Sequence, residues 1–269
     1  MSRPLVSVII PTYNRKYALG ELLESLARQS VQEFEVIVIN DNGEPVDQLR
    51  DSFSELELKF INLKVNQGHV HARNEGISHA KGEFIMLCDD DDLVTANHIE
   101  KMLEEIKDAD LVYSDVEMVE YKWEGTQRVP IKRMLFAYEL DKEFMRKFST
   151  YVSSGCLYRR SIHNKIGLFD VEMKNYWDWD FILRVFESFK VKRVAIASVL
   201  YAFSSSGDNQ SANLSEIRNQ YLKRLCDKHR LGNLPQKNFF TLLEEPEVMA
   251  KRAETQRVWD GEKIGPRLL

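Results

Sequence analysis

Four consecutive carboxylates follow an apolar segment in the first half of the chain. The segment FIML (residues 84 to 87) has the composition of a buried strand, and after Cys88 come Asp89, Asp90, Asp91 and Asp92. Adjacent like charges repel, so at neutral pH a positive partner must offset them or some of them must stay protonated. The candidate partners are a basic side chain, water and a divalent cation.

The spacing of these carboxylates divides them into two pairs. Asp89 and Asp91 lie two positions apart, so their side chains point to the same side if the strand persists, while Asp90 and Asp92 face the other way. A hard cation such as Mg²⁺ takes one or two carboxylates together with substrate phosphates. One of the first pair is therefore a candidate metal ligand, and the other a partner for a ribose hydroxyl or a metal-bound water. The alternative is an acidic cap for a helix that starts after Thr95.

A second pair of carboxylates, Asp178 and Asp180, lies in the sequence WDWD. Trp177 and Trp179 flank Asp178 and predict a partly apolar pocket, which raises the pKa of a carboxyl group and suits a general base. Asp180 fits the alternative better, namely an N-cap for the helix FILRVFESF. Asp178 is therefore the candidate base of the pair.

The segment NQGHVHARNEGISHAKG (residues 66 to 82) contains three histidines, but their spacing is not that of a zinc-binding helix. Surface or capping roles are the favoured interpretation for His69, His71 and His79. Arg73 is a candidate donor to phosphate or to the carboxylates at the strand end. Gly68, just before the predicted helix, permits a close approach of backbone to a ligand.

The first half of the chain alternates apolar strand-like segments with amphipathic helices. Strands are predicted at residues 5–11, 34–41, 58–63, 83–88 and 111–116, and helices at 16–29, 69–82 and from Thr95 through Lys107. This order predicts an α/β fold with a mostly parallel central sheet and helices on both faces. Ligands of such sheets lie at the carboxyl ends of the strands. Polar residues follow three of these strands, at 12–14, 40–43 and 89–92, which predicts a single site.

The second half is less regular. Residues 117–150 show little periodicity and predict a long excursion or short helices. A short strand is expected within 153–161, a helix at 176–189, a strand at 191–203, and a helix at 213–232 with Ile217, Tyr221 and Leu225 on one face. The chain beyond Gly232 is polar, and we expect a tail or an appended helix.

Composition narrows the class of protein. The net charge is −5 and the pI about 5.8, which disfavours nucleic acid as a partner. Basic clusters at 132–147 and 223–230 are typical of solvated helix faces, with contact to anionic lipid or a phosphorylated acceptor as the alternative. The three cysteines are widely spaced and make no CxxC pair, which argues against a disulfide framework or a zinc site and favours a reducing compartment. We expect a cytoplasmic protein, soluble or at most peripheral to the inner face of a membrane.

Several of these signals occur together in a fixed order. VSVIIPTYNR, the strand ending in NDNG, NQGHVHARNEGISHAKGEFIMLCDDDD and NYWDWDFILR follow one another along the chain. Together they resemble the inverting family 2 glycosyltransferases of GT-A fold over about residues 5 to 205. The resemblance implies a nucleotide-sugar-binding half (1–115), an acceptor-binding and catalytic-base half (116–205) with a smaller acceptor-side sheet, and a helical C-terminal extension (206–269).

The resemblance also implies roles for individual residues. Nucleotide contacts are expected from Pro11, Thr12, Tyr13, Asp41, Arg73, Asp89 and Asp90; metal ligation from Asp91 and Asp89; acceptor-side contacts from Gly155, Trp177 and Asp180; and the catalytic base from Asp178. The implied cofactor is Mn²⁺ or Mg²⁺. The implied donor is a nucleotide sugar, with UDP ahead of dTDP, and the implied acceptor is a glycan or lipid-linked hydroxyl in bacterial surface polysaccharide or glycoconjugate synthesis. The oligomeric state stays open.

The sequence departs from the family pattern at three places. The second strand ends in NDNGE, with Asn40 where the family commonly has an acid, and Trp177 precedes Asp178 where a Glu is frequent. A histidine that often follows the last strand is absent from YAFSSSGDNQS (201–211). Ser204, Asp208 and Asn209 are the candidates there for a third contact to metal or diphosphate.

Two other functions fit the same α/β layout. A sugar-1-phosphate nucleotidyltransferase normally has a glycine-rich basic loop after the first strand, but PTYNRKYAL contains no glycine before Gly20. A non-catalytic nucleotide-sugar-binding protein would tolerate a poor base, and the presence of Asp178 argues against it. Release of nucleoside diphosphate, of pyrophosphate or of neither would separate the three functions.

Overall fold

The computed structural model describes residues 3–203, 215–265 and 267. Its strands are β1 (Val6–Thr12), β2 (Phe34–Asn40), β3 (Glu57–Asn62), β4 (Phe84–Leu87), β5 (Leu93–Val94), β6 (Leu111–Glu124), β7 (Gln127–Phe136), β8 (Leu157–Arg159), β9 (Val191–Phe203) and β10 (Gln256–Arg257). Its α-helices are α1 (Lys16–Ala27), α2 (Leu49–Ser52), α3 (His69–His79), α4 (His98–Glu105), α5 (Ile162–Ile166), α6 (Trp177–Phe186), α7 (Glu216–His229), α8 (Phe239–Leu243) and α9 (Pro246–Met249).

Within the described residues, these strands form one sheet in the order β10-β9-β6-β8-β4-β1-β2-β3, with β5 beside β9 and β7 beside β6. The run β4-β1-β2-β3 is parallel, whereas β8 lies antiparallel between β4 and β6. The predicted α/β class with helices flanking a central sheet is confirmed. The smaller acceptor-side sheet is not separate, because the strands of the second half continue the same sheet.

Apolar residues cover both faces of this sheet. Strands β1 and β2 are buried along their whole length, as expected for parallel strands between two helical layers. Helix α1 packs its leucines against one face, and α3 and α6 cover the other. The carboxyl ends of β1, β2 and β4 therefore open at one edge between the two helical layers.

Two predictions in the second half are wrong. Residues 117–136 form a long β6–β7 hairpin, because β6 continues past the predicted strand and pairs with both β9 and β7. The polar sequence hid this hairpin, since β7 is only partly buried. In α7, Ile217 is 62% exposed, while Leu222 and Leu225 are buried, so the packed face is rotated from the predicted one.

Smaller differences concern helix boundaries and the tail. Helix α4 has Asn97 as its N-cap residue, not Thr95. The chain after Gly232 returns to the sheet, where β10 pairs with β9 and Trp259 is buried in the core. No helix in the described parts of the chain is both long and apolar enough to traverse a bilayer.

Candidate active site

The aspartate run forms a tight turn at the end of β4. The backbone amide of Asp92 donates to the carbonyl of Asp89 at 3.1 Å, which closes the turn. The side chains of Asp89 and Asp91 are each 33% exposed, whereas Asp90 and Asp92 are buried. The strand does not persist into this run as the alternation required, and Arg15 contacts both Asp90 and Asp91. Asp89 and Asp91 are nevertheless the more exposed pair.

The two buried aspartates attach the turn to its neighbours. Asp90 accepts a hydrogen bond from the Thr12 hydroxyl at 2.7 Å, and Asp92 accepts one from the backbone amide of Ala202 at 2.8 Å. Burial raises the pKa of Asp90 to about 7 and the pKa of Asp92 well above its usual range, and in both the charge of Asp91 adds to the effect. Asp90 was expected to contact the nucleotide, but it is only 5% exposed and instead positions the turn.

Three arginines oppose the charge of this turn. Arg73 pairs with Asp89, and Arg15 donates from Nη1 to Asp90 at 3.1 Å and to Asp91 at 2.6 Å. Arg128 donates to the carbonyl oxygen of Asp91 at 2.5 Å. The four adjacent carboxylates are therefore offset by basic side chains and by burial, which raises the pKa of Asp90, Asp91 and Asp92.

Arg128 and Arg15 were not among the residues singled out from the sequence. Arg128 is anchored by Glu21 of α1, which it contacts through Nε at 2.5 Å, and both side chains are buried. The two residues lie 107 positions apart, so no local pattern connects them. The signal for Arg15 was present in PTYNR, where a basic residue lies three positions after the end of β1 at the predicted site.

Arg73 connects the aspartate turn to α6. Its guanidinium carbon lies 4.1 Å from the ring centre of Trp177, and its Nη1 donates to the carbonyl of His69 at 3.1 Å. A cation over an indole face is held electrostatically as well as by packing. Arg73 is only 2% exposed, so it orders Asp89 and Trp177 and presents little of its own surface.

Asp178 lies in the first turn of α6, beside Trp177 and partly exposed. One of its oxygens accepts a hydrogen bond from the amide of Trp179 at 2.9 Å. Burial raises the pKa of Asp178 to about 6, and the negative charge of Asp89 contributes in the same direction. The structure thus brings the candidate base within electrostatic reach of the aspartate turn.

Asp180 occupies a different environment. It is fully buried and accepts hydrogen bonds from His229 at 2.8 Å and Arg184 at 2.9 Å, with the Lys228 ammonium at 2.7 Å. Burial opposes ionisation, but the bond from His229 and the two positive charges outweigh it and lower the pKa of Asp180 to about 2. The acceptor-side prediction for Asp180 is wrong, because this carboxylate joins α6 to α7.

Gly155 shapes the backbone behind the site. Its φ is +79°, and a Cβ atom there would lie 2.3 Å from a methyl group of Val199. Its amide donates to Leu87 at 2.6 Å, and its carbonyl accepts from His98 at 2.8 Å. Gly155 therefore permits a backbone conformation that other residues would adopt only with strain. The predicted contact between Gly155 and the acceptor could be made only by its buried backbone.

The ends of β1 and β2 form the other wall. Pro11 and Thr12 are buried within β1, and Tyr13, the next residue, is 49% exposed. Asp41 is buried and accepts the backbone amides of Gln67 at 2.8 Å and Gly68 at 2.7 Å. Asp41 therefore fixes the loop that leads into α3, and Tyr13 is the aromatic surface available at this wall.

The exposed carboxylates have the chemistry of a hard-cation site. Asp89 and Asp91 each place one oxygen on an arginine, and no hydrogen bond within the described residues occupies the other. The described residues contain no group of three His, Cys, Asp or Glu side chains that would enclose a metal. Two carboxylates plus substrate phosphates is the typical set for Mg²⁺, so the residues fit such an ion. Ser204, Asp208 and Asn209 lie outside the described residues.

Two cavities lie at opposite ends of the sheet. One of about 450 Å³ adjoins Asp91 and is lined by Arg15, Tyr17, Trp123 and Arg128 among others. A larger one of about 970 Å³ lies at the amino ends of β1 and β2, away from the clustered carboxylates. Ligands of parallel sheets bind at the carboxyl ends of the strands, so we assign the functional site to the end that contains Asp91.

Comparison with known proteins gives the family. Residues 7–167 match the model of glycosyl transferase family 2. The uncharacterized glycosyltransferase YwdF of Bacillus subtilis (strain 168) is 54% identical over 263 residues, covering 98% of each chain.

Two solved structures have the same fold. S. aureus TarS (residues 1–349) in complex with UDP aligns with a TM-score of 0.61 at 22% identity, over 91% of this chain and 76% of that one. The mannosyltransferase PcManGT from Pyrobaculum calidifontis, in complex with GDP-Man and Mn²⁺, aligns with a TM-score of 0.62 at 17% identity, over 87% and 67%. The fold predicted from the sequence is confirmed, and the chain is a glycosyltransferase that belongs to glycosyl transferase family 2.

Proposed function

We propose that this enzyme transfers a sugar from a nucleoside-diphosphate sugar to an acceptor hydroxyl with inversion, and that Asp178 is the general base. The observation that carries the proposal is the position of Asp178. Its carboxyl group is partly exposed, lies beside Trp177, and is influenced by the charges of Asp89 and Arg73. A base must lie next to the bound donor in order to activate an acceptor that attacks it.

The donor is proposed to bind along the open edge of the sheet. Tyr13 is proposed to contact the nucleotide base with its exposed ring, and Asp89, which pairs with Arg73, is proposed to contact the ribose or the diphosphate. Asp91, with Asp89, would hold Mn²⁺ or Mg²⁺, which supplies positive charge to the leaving diphosphate. UDP is the preferred nucleotide in this proposal, ahead of dTDP, and the fold neighbour TarS, solved with UDP and with UDP-GlcNAc, supports that order.

The proposed chemistry is a single displacement. The acceptor oxygen attacks the anomeric carbon from the side opposite the nucleoside diphosphate, and its proton passes to a carboxylate oxygen of Asp178. The pKa of Asp178, raised to about 6, leaves the group ionised at pH 7.5 and more basic than an exposed aspartate. The hydrogen bond from the Trp179 amide fixes one carboxylate oxygen, which leaves the second to accept the proton.

The acceptor is proposed to be a hydroxyl of a glycan or of a lipid-linked glycan used in a bacterial surface polymer. Asp178 is partly exposed, which is compatible with a large acceptor that presents one hydroxyl to it.

The proposal is tested by incubating the protein with UDP- and dTDP-sugars, Mn²⁺ and a panel of glycan acceptors. Release of nucleoside diphosphate and a product of inverted anomeric configuration, determined by NMR coupling constants, are the expected results. Asp178→Asn should lower the rate of transfer by about 10² to 10⁴ but retain binding of the nucleoside diphosphate. Asp108→Asn, which changes an exposed carboxylate outside the site, is the control. Release of pyrophosphate, or retention of configuration, would contradict the proposal.

A further inference from the structure

Arg15 occupies a special position beside the aspartate turn. It directly precedes α1, and its Nη1 lies 2.6 Å from Asp91 and 3.1 Å from Asp90. The Arg15 side chain is 54% exposed, and the Asp91 side chain is 33% exposed. This ion pair is therefore open to solvent on the same edge of the sheet to which we assign the donor.

The three arginines around the turn differ in how firmly they are held. The Arg73 side chain is 3% exposed and lies against Trp177, and that of Arg128 is 4% exposed and bound to Glu21. The hydrogen bonds of the Arg15 guanidinium within the described residues are to Asp90 and Asp91. Arg15 is thus the arginine of the three that can leave the turn without disturbing the core.

A divalent cation and this guanidinium compete for the same carboxylate. If both sat on Asp91, charges of +2 and +1 would lie about 5 Å apart and would repel each other. The first turn of α1 contains no acidic residue to receive a displaced guanidinium, so Arg15 would move toward solvent.

We propose that Arg15 is the resident counter-ion of Asp91 in the metal-free enzyme, and that binding of a divalent cation displaces it. Arg15 holds the aspartate turn in place when no cation is bound and lowers the affinity of the turn for a cation. This inference rests on the proposed function, in which Asp91 is a metal ligand.

The test is a titration of the full-length protein with Mn²⁺ alone, in which electron paramagnetic resonance measures free Mn²⁺. Arg15→Gln should bind Mn²⁺ about tenfold more tightly than wild type, because the repulsion is removed in a solvent-exposed setting. Arg28→Gln is the matched control, since Arg28 lies at the end of the same helix, is 53% exposed, and pairs with Glu24 instead. It should leave the Mn²⁺ affinity unchanged.

A thermal measurement gives a second readout. Without metal, Arg15→Gln should melt at a lower temperature than wild type, because Asp91 loses its counter-ion. Saturating Mn²⁺ should then raise its melting temperature by more than it raises that of wild type, since tighter binding to the folded state stabilises it further. Arg15→Lys, which keeps the charge, should resemble wild type in both measurements.

The outcomes separate this inference from the proposed function. If Asp91→Asn abolishes Mn²⁺ binding while Arg15→Gln leaves it unchanged or weakens it, Arg15 is not a competing counter-ion and the inference is overturned, whereas the metal assignment stands. If Asp91→Asn binds Mn²⁺ as wild type does, the metal assignment is wrong and the inference fails with it.

Discussion

The first turn of α6 has two sides with opposite chemistry. On one side, Asp178 is partly exposed, accepts one backbone hydrogen bond, and has a pKa raised to about 6. On the side that packs on α7, Asp180 is buried among His229, Lys228 and Arg184, and its pKa is lowered to about 2. The two residues are of one type and lie two positions apart.

The surroundings of these two carboxylates, and not the residue type, therefore assign their roles. Asp178 is surrounded by an indole ring and a neighbouring carboxylate, which disfavour its charge and make it a better proton acceptor. Asp180 has three cationic or hydrogen-bonding partners, which favour its charge and make it a structural link. Activity should therefore depend on Asp178, and stability on Asp180.

The largest expected effect is on catalysis. Asp178→Asn should reduce the rate of sugar transfer by about 10² to 10⁴, because general-base assistance is lost while the amide keeps the shape of the side chain. Initial rates of nucleoside diphosphate release measure the effect, and a thermal-shift titration with UDP and Mn²⁺ checks that donor binding persists. Wild-type rates in this variant would show that the base is another group.

The next effect is on folding. Asp180→Ala should lower the free energy of unfolding by about 3–5 kcal/mol, because it leaves buried cationic partners without their anion. Urea denaturation followed by circular dichroism measures it. Asp170→Ala is the control, since Asp170 also pairs with Lys228, at 2.8 Å, but is partly exposed and should cost less than about 1 kcal/mol. Equal losses of unfolding free energy in the two variants would show that the buried partners of Asp180 do not add to its contribution.

The pH dependences of activity and of stability should separate the roles of Asp178 and Asp180 in the first turn of α6. The transfer rate should fall below about pH 6, as Asp178 becomes protonated. The folded pKa of Asp180 is depressed, so the stability that it contributes is present above its unfolded value of about 4 and is lost as the pH falls toward 2. Activity should therefore fall to about a tenth by pH 5, while circular dichroism still reports a folded chain. Loss of activity and loss of folded structure at the same pH would contradict the different roles of Asp178 and Asp180.

The raised pKa of Asp178 has its own effect on stability, of opposite sign. For a carboxyl group whose folded pKa is raised, stability is fully present below the unfolded value of about 4 and is lost as the pH rises through about 6. Asp178→Asn removes this loss, so the variant should gain about 1–3 kcal/mol relative to wild type between pH 4 and pH 8. Urea denaturation of both proteins at the two pH values is the measurement. If the unfolding free energies of the two proteins differed by the same amount at pH 4 and at pH 8, the pKa of Asp178 would not be raised.

The smallest effect concerns the ring beside the base. Trp177→Phe keeps an aromatic side chain but weakens the contact with the Arg73 guanidinium, which is worth about 1 kcal/mol. The expected result is a severalfold lower kcat/KM with little change in the unfolding free energy. Trp179→Phe is the comparison, because Trp179 donates to the carbonyl of Met145 at 2.7 Å and should affect stability instead. If Trp177→Phe mainly lowered the unfolding free energy and Trp179→Phe mainly lowered kcat/KM, the assignment of Trp177 to the site would be contradicted.

The residues of this site differ in how far the sequence could predict them. Strand alternation predicted that Asp89 and Asp91 share a side, but the chain turns at these residues, and only their greater exposure agrees with that prediction. The helix that starts at Trp177 was predicted from a local pattern, since aspartates precede an apolar segment there. The environment of Asp180 was not, since His229 lies 49 positions away and only the packing of α7 on α6 brings the two together.

The same limit applies to the fold. Strands β1, β2 and β4 were predicted because buried parallel strands read as continuous apolar runs. The β6–β7 hairpin was missed, because much of β7 is exposed or only partly buried and its sequence shows no clean alternation. The roles of Arg15 and Arg128 also needed the structure, since each depends on which carboxylate or carbonyl lies opposite in space.

The return of the C-terminal chain to β9 has a consequence for solubility. Along the flank of β9 that faces away from β6, β10 pairs at Ile196 and Ala197, and β5 pairs at Val199 and Leu200. An uncovered strand margin offers its backbone groups to a second molecule and promotes aggregation. Truncation after Gly232 would uncover part of that margin, and the shortened protein should aggregate more readily than the full chain.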